Sequence, residues 1–121
     1  MRRGLAASLV CLLAACAGPE EVSKQPVAGR FESALSARKL AECINANGVN
    51  LGWAPGIYRS KIQPTAEEPI VVIVEDTVNS FEVVAMISVV THAGGSAAEF
   101  RMRGRGDPAG VWLRRLVAGC G

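Results

Sequence analysis

The sequence predicts an α+β domain in which a four-stranded antiparallel sheet carries an N-terminal and a C-terminal helix on one face. Four β-branched or alternating runs lie between residues 57 and 103. The connections between them are of hairpin length, which favours antiparallel pairing. An amphipathic run precedes the four strands and another follows them. The predicted order is therefore αββββα.

The first helix is predicted over residues 31–47. Ser33 or Ser36 can cap its start by accepting a hydrogen bond from an exposed backbone N–H. Leu40, Cys43 and Ile44 recur at helical spacing on one face. Cys43 is thereby predicted to face the core.

The four strands are predicted over residues 57–63, 70–74, 81–90 and 97–103. The second is a β-branched run that suits a strand better than a helix. The segment His92-Ala93-Gly94-Gly95 is predicted to be a hairpin loop between the last two strands. In the last strand, Phe100 and Met102 alternate with charged residues that share the opposite face, namely Glu99, Arg101 and Arg103.

The final helix begins after residue 106 on the sequence pattern. Asp107 suits the N-cap and Pro108 suits the first helical position. One apolar stripe contains Leu113, Leu116, Val117 and Cys120. Arg114 and Arg115 lie elsewhere and complement the negative end of the helix dipole.

The first sixteen residues follow the pattern of a bacterial export signal. Two arginines precede an apolar run over residues 5–15, which covers roughly 17 Å as a helix and is too short to span about 30 Å of hydrocarbon. The run ends in Leu13-Ala14-Ala15-Cys16, which resembles the lipobox of bacterial lipoproteins. That resemblance implies cleavage before Cys16, a diacylglycerol on its sulfur and an acyl chain such as palmitate on its new amino group.

Three regions follow from this resemblance. Residues 1–15 are a lipoprotein signal peptide, residues 16–30 are the lipidated Cys16 and a flexible tether, and residues 31–121 are the α+β domain. The tether is polar and is broken by prolines and glycines. In diderm bacteria, Ala17 in place of an aspartate implies the periplasmic face of the outer membrane. The alternative for the first region is a buried N-terminal helix of a cytosolic protein.

Charge and cysteine content constrain the partners and the compartment. The whole chain carries 13 Lys and Arg, 11 Asp and Glu and a net charge of +2. Loss of Arg2 and Arg3 with the signal leaves 11 of each sign, so no nucleic-acid partner is expected. Cys11 leaves with the signal and Cys16 carries lipid. The remaining Cys43 and Cys120 are predicted to form a disulfide, with two free thiols as the alternative.

The sequence offers no converging catalytic group, and neither an enzyme nor a cofactor is expected. His92 is the single histidine and has no evident nucleophile or orienting carboxylate beside it. Neighbouring carboxylates such as Glu67 and Glu68 point to opposite faces of an extended chain. One histidine and a bridged cysteine pair do not make a typical zinc site, so no metal is expected.

The candidate binding residues are basic. Arg101 and Arg103 share a strand face, Arg105 follows closely, and Arg59 and Lys61 are predicted on the same side of the sheet. Arginine matches phosphate and carboxylate groups, so this face is a candidate site for anionic headgroups, a glycan or an acidic partner. The alternative is a solvated face or an edge strand protected from aggregation by its charge.

The middle strands are apolar on both faces, although two helices cover only one face. Either the loops over residues 49–56 and 64–69 wrap the second face, with Trp53 and Tyr58 in the cover, or a protein partner or a second copy in a homodimer covers it.

The chain also resembles, in outline, small uncharacterised envelope lipoproteins of proteobacteria. The resemblance implies a membrane-anchored, non-enzymatic accessory or binding subunit with a protein partner in the envelope. The alternative is a small periplasmic ligand-binding module or one similar to lysozyme inhibitors. A hydrolase acting on peptidoglycan is disfavoured because no acid, base and nucleophile converge in the sequence.

Overall fold

A computed structural model describes residues 18–78, 81–104 and 106–121. The predicted signal peptide, Cys16 and Arg105 lie outside these residues. In chain order the elements are α1 (Pro19–Ser23), β1 (Gly29–Ser33), α2 (Ala37–Gly48), β2 (Tyr58–Ile62), β3 (Ile70–Asp76), β4 (Glu82–His92), β5 (Gly95–Met102), a 3-10 turn (Pro108–Gly110) and α3 (Val111–Leu116).

The five strands form one antiparallel sheet in the order β1-β5-β4-β3-β2. Strands β2 to β5 are a continuous meander, and β1 adds to the free side of β5. The turn between β4 and β5 is the predicted hairpin, with positive φ at Ala93 and Gly94 as a two-residue turn requires. The predicted four-stranded αββββα arrangement is wrong, because the sheet has a fifth strand and α1 precedes it.

The extra strand β1 occupies residues that the sequence pattern assigned to the first helix. Phe31 and Ser33 face the helices, whereas Arg30 and Glu32 face the other side, so the segment has a period of two. Ser36 is the N-cap that starts α2, and its side chain accepts a hydrogen bond from the Lys39 N–H at 3.3 Å. The helix therefore begins six residues later than predicted.

The main core lies between α2 and α3 on one side and the sheet on the other. Leu40 and Ile44 of α2 are fully buried, as are the sheet residues Val72, Ile87 and Phe100. Each fully buried side chain of this size stabilises the fold by about 1.5–3 kcal/mol relative to its exposed state. This layer confirms that α2 and the C-terminal helix share one face of the sheet.

The predicted disulfide is confirmed. Cys43 of α2 is bonded to Cys120 with an S–S distance of 2.02 Å across a sequence separation of 77. The Asn47 amide donates to the carbonyls of Leu116 and Ala118 at 2.8 and 2.9 Å, and the Ser33 hydroxyl donates to the Cys120 carbonyl at 2.6 Å. Cys120 lies after the end of α3 at Leu116, not within the final helix as predicted. The disulfide therefore joins α2 to the C-terminal segment, which polar contacts also tie to α2 and β1.

The last helix starts later than predicted, although Asp107 still caps it. Pro108 opens a 3-10 turn, and α3 begins at Val111. The two Asp107 carboxylate oxygens accept from the N–H groups of Trp112 and Leu113, each at 3.0 Å. The cap therefore acts across the intervening turn, on the exposed N–H groups at the start of α3.

Helix α1 packs on the second face of the sheet, where the sequence suggested a cover of loops that includes Trp53 and Tyr58. Val22 is fully buried in a second cluster with Val71, Ile73, Val83 and Met86. Trp53, one predicted cover residue, is 90% exposed. Tyr58, the other, lies on the opposite side, where its ring meets that of Trp112 edge-on at 5.0 Å.

Part of the predicted tether therefore belongs to the folded domain. The Gln25 carbonyl accepts a hydrogen bond from Arg101 Nε at 3.1 Å, and the Ala28 N–H donates to the Phe100 carbonyl at 2.8 Å. Residues 29 and 30 are already in β1. Among the residues with described structure, none belongs to a helix that is both long and apolar enough to cross a bilayer.

Candidate functional site

Three of the predicted basic residues, Arg59, Lys61 and Arg101, lie on one face of the sheet but in two separate places. Arg59 and Lys61 are on the edge strand β2, and Arg101 is on β5, with β3 and β4 between them. Three strand spacings separate the two groups by about 14 Å. The structure therefore does not bring these side chains together into one cluster.

Each basic side chain described here has a partner within the fold. Arg59 Nη2 and Lys61 Nζ lie 3.0 and 3.4 Å from the same oxygen of Glu75, a residue with only 7% exposure. Arg103 Nη1 lies 2.8 Å from Glu82, and Arg101 Nε donates to the carbonyl of Gln25, two residues after the end of α1. An external anion would have to compete with these internal partners, which stabilise a buried carboxylate and the docking of α1.

Two further polar groups, His92 and Glu68, form local pairs. His92 Nε2 lies 3.2 Å from Glu32 Oε1 on the same face of the sheet. The Glu68 carboxylate accepts from the backbone N–H and the hydroxyl of Thr91, and these hydrogen bonds lower its pKa. Within residues 18–78, 81–104 and 106–121, no three His, Cys, Asp or Glu side chains are grouped to hold a metal ion.

A different surface has the composition of a binding site. Trp53, Val78 and Phe81, which we call the apolar tip, are 90%, 72% and 49% exposed. They lie on the connections that precede β2 and β4, at one end of the sheet. An exposed apolar patch can mark an interaction site, and the two connections that carry these three residues are neighbours.

The two connections that carry the apolar tip are joined by hydrogen bonds. The Thr77 N–H donates to the Ile57 carbonyl at 3.0 Å, and the Thr77 hydroxyl donates to the Gly56 carbonyl at 2.6 Å. The Arg59 guanidinium lies 4.8 Å from the centre of the Phe81 ring, within cation–π range. Phe81 also has a positive φ of 57°, a conformation that is unusual for a large side chain.

Sequence reasoning missed most of the apolar tip. It placed Trp53 in a cover for the sheet and Phe81 inside a strand, and it did not single out Val78. The Pro55-Gly56 turn signal was the available clue, because a turn before an edge strand lies at the surface. Exposure of Phe81 was not readable from the sequence, since it depends on the left-handed conformation just before β4.

A cleft of about 320 Å³ lies elsewhere, between the segment leading into β1 and the segment after β5. Its walls include Pro26, Val27, Met102 and Asp107. Both oxygens of Asp107 already accept hydrogen bonds from α3. The other lining residues are apolar residues, glycines and Gln25.

Comparison of the chain with protein-family models, curated proteins and solved structures finds no match.

Proposed function

We propose that this protein is a lipid-anchored, non-enzymatic lipoprotein of the cell envelope that binds a protein partner through the apolar tip. The observation that carries the binding proposal is the 90% exposure of Trp53 on a connection fixed by the Thr77 hydrogen bonds. The anchor proposal depends on Leu13-Ala14-Ala15-Cys16. The outer membrane, on its periplasmic face, is the proposed location.

The disulfide supports an exported location. Disulfides persist in oxidising compartments and are rare in the cytosol of most organisms. Once Cys11 is removed with the signal and Cys16 is acylated, Cys43 and Cys120 are the two cysteines left, and they are bonded to each other. Each cysteine of the mature chain is then either acylated or part of the disulfide, which fits the proposed processing.

The composition of the apolar tip supports a protein as the partner. Tryptophan and arginine are the residues that most often dominate the binding energy of protein interfaces, and phenylalanine is enriched in their cores. Arg59 lies over Phe81 and is held by Glu75, so its side chain is already ordered before binding. Ordered aromatic and arginine groups lose less conformational freedom on association than mobile ones do.

The test is photo-crosslinking in native membranes from a position beside Trp53, with and without Trp53→Ala. A Trp at an interface centre typically contributes 2 kcal/mol or more, so the substitution is expected to weaken capture by about 30-fold. Val90→Ser is the control, because Val90 is an exposed apolar residue (38%) near the end of β4 that is remote from Phe81.

Three outcomes decide the proposal. Loss of one defined crosslinked protein in Trp53→Ala alone supports it. A crosslink to a second copy of this chain would mean that the partner is a homodimer mate. Capture that is unchanged by Trp53→Ala would contradict binding through the apolar tip.

Small-ligand binding is the second candidate, and the 320 Å³ cleft is the observation that favours it. Its volume is at the lower end of the range for ligand pockets, about 300–1,000 Å³. A ligand held there would raise the melting temperature, and Met102→Trp would fill the cleft and abolish the rise. Inhibition of a lysozyme in vitro tests the inhibitor alternative.

A further inference from the structure

The position of α1 fixes how close the domain must lie to the bilayer. Only Ala17 and Gly18 separate Cys16 from Pro19, the first residue of α1. Three peptide units span at most about 11 Å. A free tether to residue 30 would have spanned up to about 45–50 Å.

The chain after Pro19 does not lengthen this reach, because it is attached to the sheet at successive points. Val22 is fully buried against β3 and β4, and the Gln25 carbonyl accepts a hydrogen bond from the Arg101 side chain. The Ala28 N–H then donates a hydrogen bond to the Phe100 carbonyl, and β1 pairs with β5 from Gly29 onwards. Releasing α1 would expose Val22 and the apolar side chains beneath it to water.

We propose that the bilayer surface is a close neighbour of the sheet face that carries α1, and that the helical layer with the disulfide faces away from it. The inference depends on the proposed acylation of Cys16. It adds to that proposal the orientation of the domain and its distance from the bilayer. In this orientation α1 lies between the bilayer and the sheet, and α2 and α3 lie on the far side of the sheet.

The proposed partner of this face is the bilayer surface in general rather than a particular anionic lipid. Glu20 and Glu21 on α1 and Lys24 at its end give the face both signs of charge. On the edge strand β1, Arg30 and Glu32 also carry opposite charges. The lipid anchor, and not attraction between opposite charges, therefore holds this face near the bilayer. Vesicles of phosphatidylcholine alone are the appropriate probe.

The test uses energy transfer from the lipidated full chain to acceptor dyes on lipid headgroups in such vesicles. Donors are attached to Lys24→Cys, next to α1, and separately to Glu42→Cys on α2; both positions are exposed. The added cysteine is the one reactive thiol if Cys16 is acylated and Cys43 and Cys120 remain bonded. One labelled thiol per chain, mapped by peptide mass spectrometry to the introduced cysteine, is the check that each variant has folded with its Cys43–Cys120 disulfide.

The proposal predicts stronger transfer from position 24 than from position 42. Two interlayer spacings of about 10 Å each, from α1 to the sheet and from the sheet to α2, separate these positions, so their distances to the headgroups should differ by about 20 Å. Inserting twenty Gly and Ser residues after Ala17 should reduce the difference, because the same domain would then rotate freely on a long linker. Equal transfer from the two positions without the insert would overturn the proposal.

Mass spectrometry of the same samples separates this inference from the proposed function. An acylated Cys16 with equal transfer from the two positions overturns the orientation alone. An unmodified Cys16 overturns both the anchor and the orientation.

Discussion

Tyr58 shows how a single side chain reports the packing beside the apolar tip. Its ring meets Trp112 edge-on, and burial, followed by the charge of Asp76, raises the pKa of its hydroxyl above 10. A raised tyrosine pKa contributes stability that is fully present below the unfolded value and is lost as the pH rises through the folded value. Alkali should therefore weaken the contact between β2 and α3.

The titration of Tyr58 can be measured without interference, because it is the single tyrosine in the chain. We predict that the ultraviolet absorbance of the phenolate appears at a higher pH in the native protein than in denaturant. Asp76→Asn should lower the native midpoint by removing the smaller of the two causes. A native midpoint at or below that of the denatured chain would contradict the packing described here.

At the scale of single elements, α1 is the feature that most changes the interpretation of the sequence. Three of its five residues are polar, a proline opens it, and it follows a predicted cleavage site, so it has the composition of a linker. A helix of this length has no intrinsic stability in water and forms only through its tertiary contacts. The sequence alone therefore could not predict α1, although it did predict that the second face of the sheet needed a cover.

The burial of Val22 gives a direct test of α1. Val22→Ala removes two methyl equivalents from a fully buried site and is expected to lower the free energy of unfolding by about 1–2 kcal/mol. Val27→Ala, at a residue with 41% exposure, is the matched control and should change it by less than about 0.5 kcal/mol. Equal effects of the two substitutions in urea unfolding would mean that residues 18–28 are a loose tether after all.

The strand β1 was missed for a related reason. The strand has only five residues, Gly29–Ser33, in which exposed and more buried side chains alternate. This short alternating pattern is soon followed by the helical pattern of α2. Strand β1 pairs with β5, which comes more than sixty residues later, so no local signal identifies its partner. Strands β2 to β5 were predicted within a few residues because each pairs with the next strand along the chain.

The disulfide was predictable because it needed only the number of cysteines and the face of α2. We predict that Cys43→Ser combined with Cys120→Ser lowers the free energy of unfolding by about 2–4 kcal/mol, since the bond closes a loop spanning 77 residues. The unsubstituted protein after reduction should unfold at the same urea concentration as this double variant. Two titratable thiols in the unreduced protein would rule out the disulfide.

At the scale of the whole molecule, the proposed anchor and the packed α1 together limit where a partner can be. A domain of about 100 residues has a radius of gyration near 13 Å, and α1 starts within about 11 Å of Cys16. Every part of the domain then lies within about 45 Å of the bilayer. The apolar tip can therefore reach a membrane protein or a protein bound close to the membrane.

The most direct test of the account is the intact mass of the protein purified from the membranes of its native host. We predict a chain that begins at Cys16, carries a diacylglycerol and an acyl group, and is lighter by the two hydrogens of one disulfide. A chain that still begins at Met1, or a free Cys16 in the processed protein, would contradict the proposed anchor.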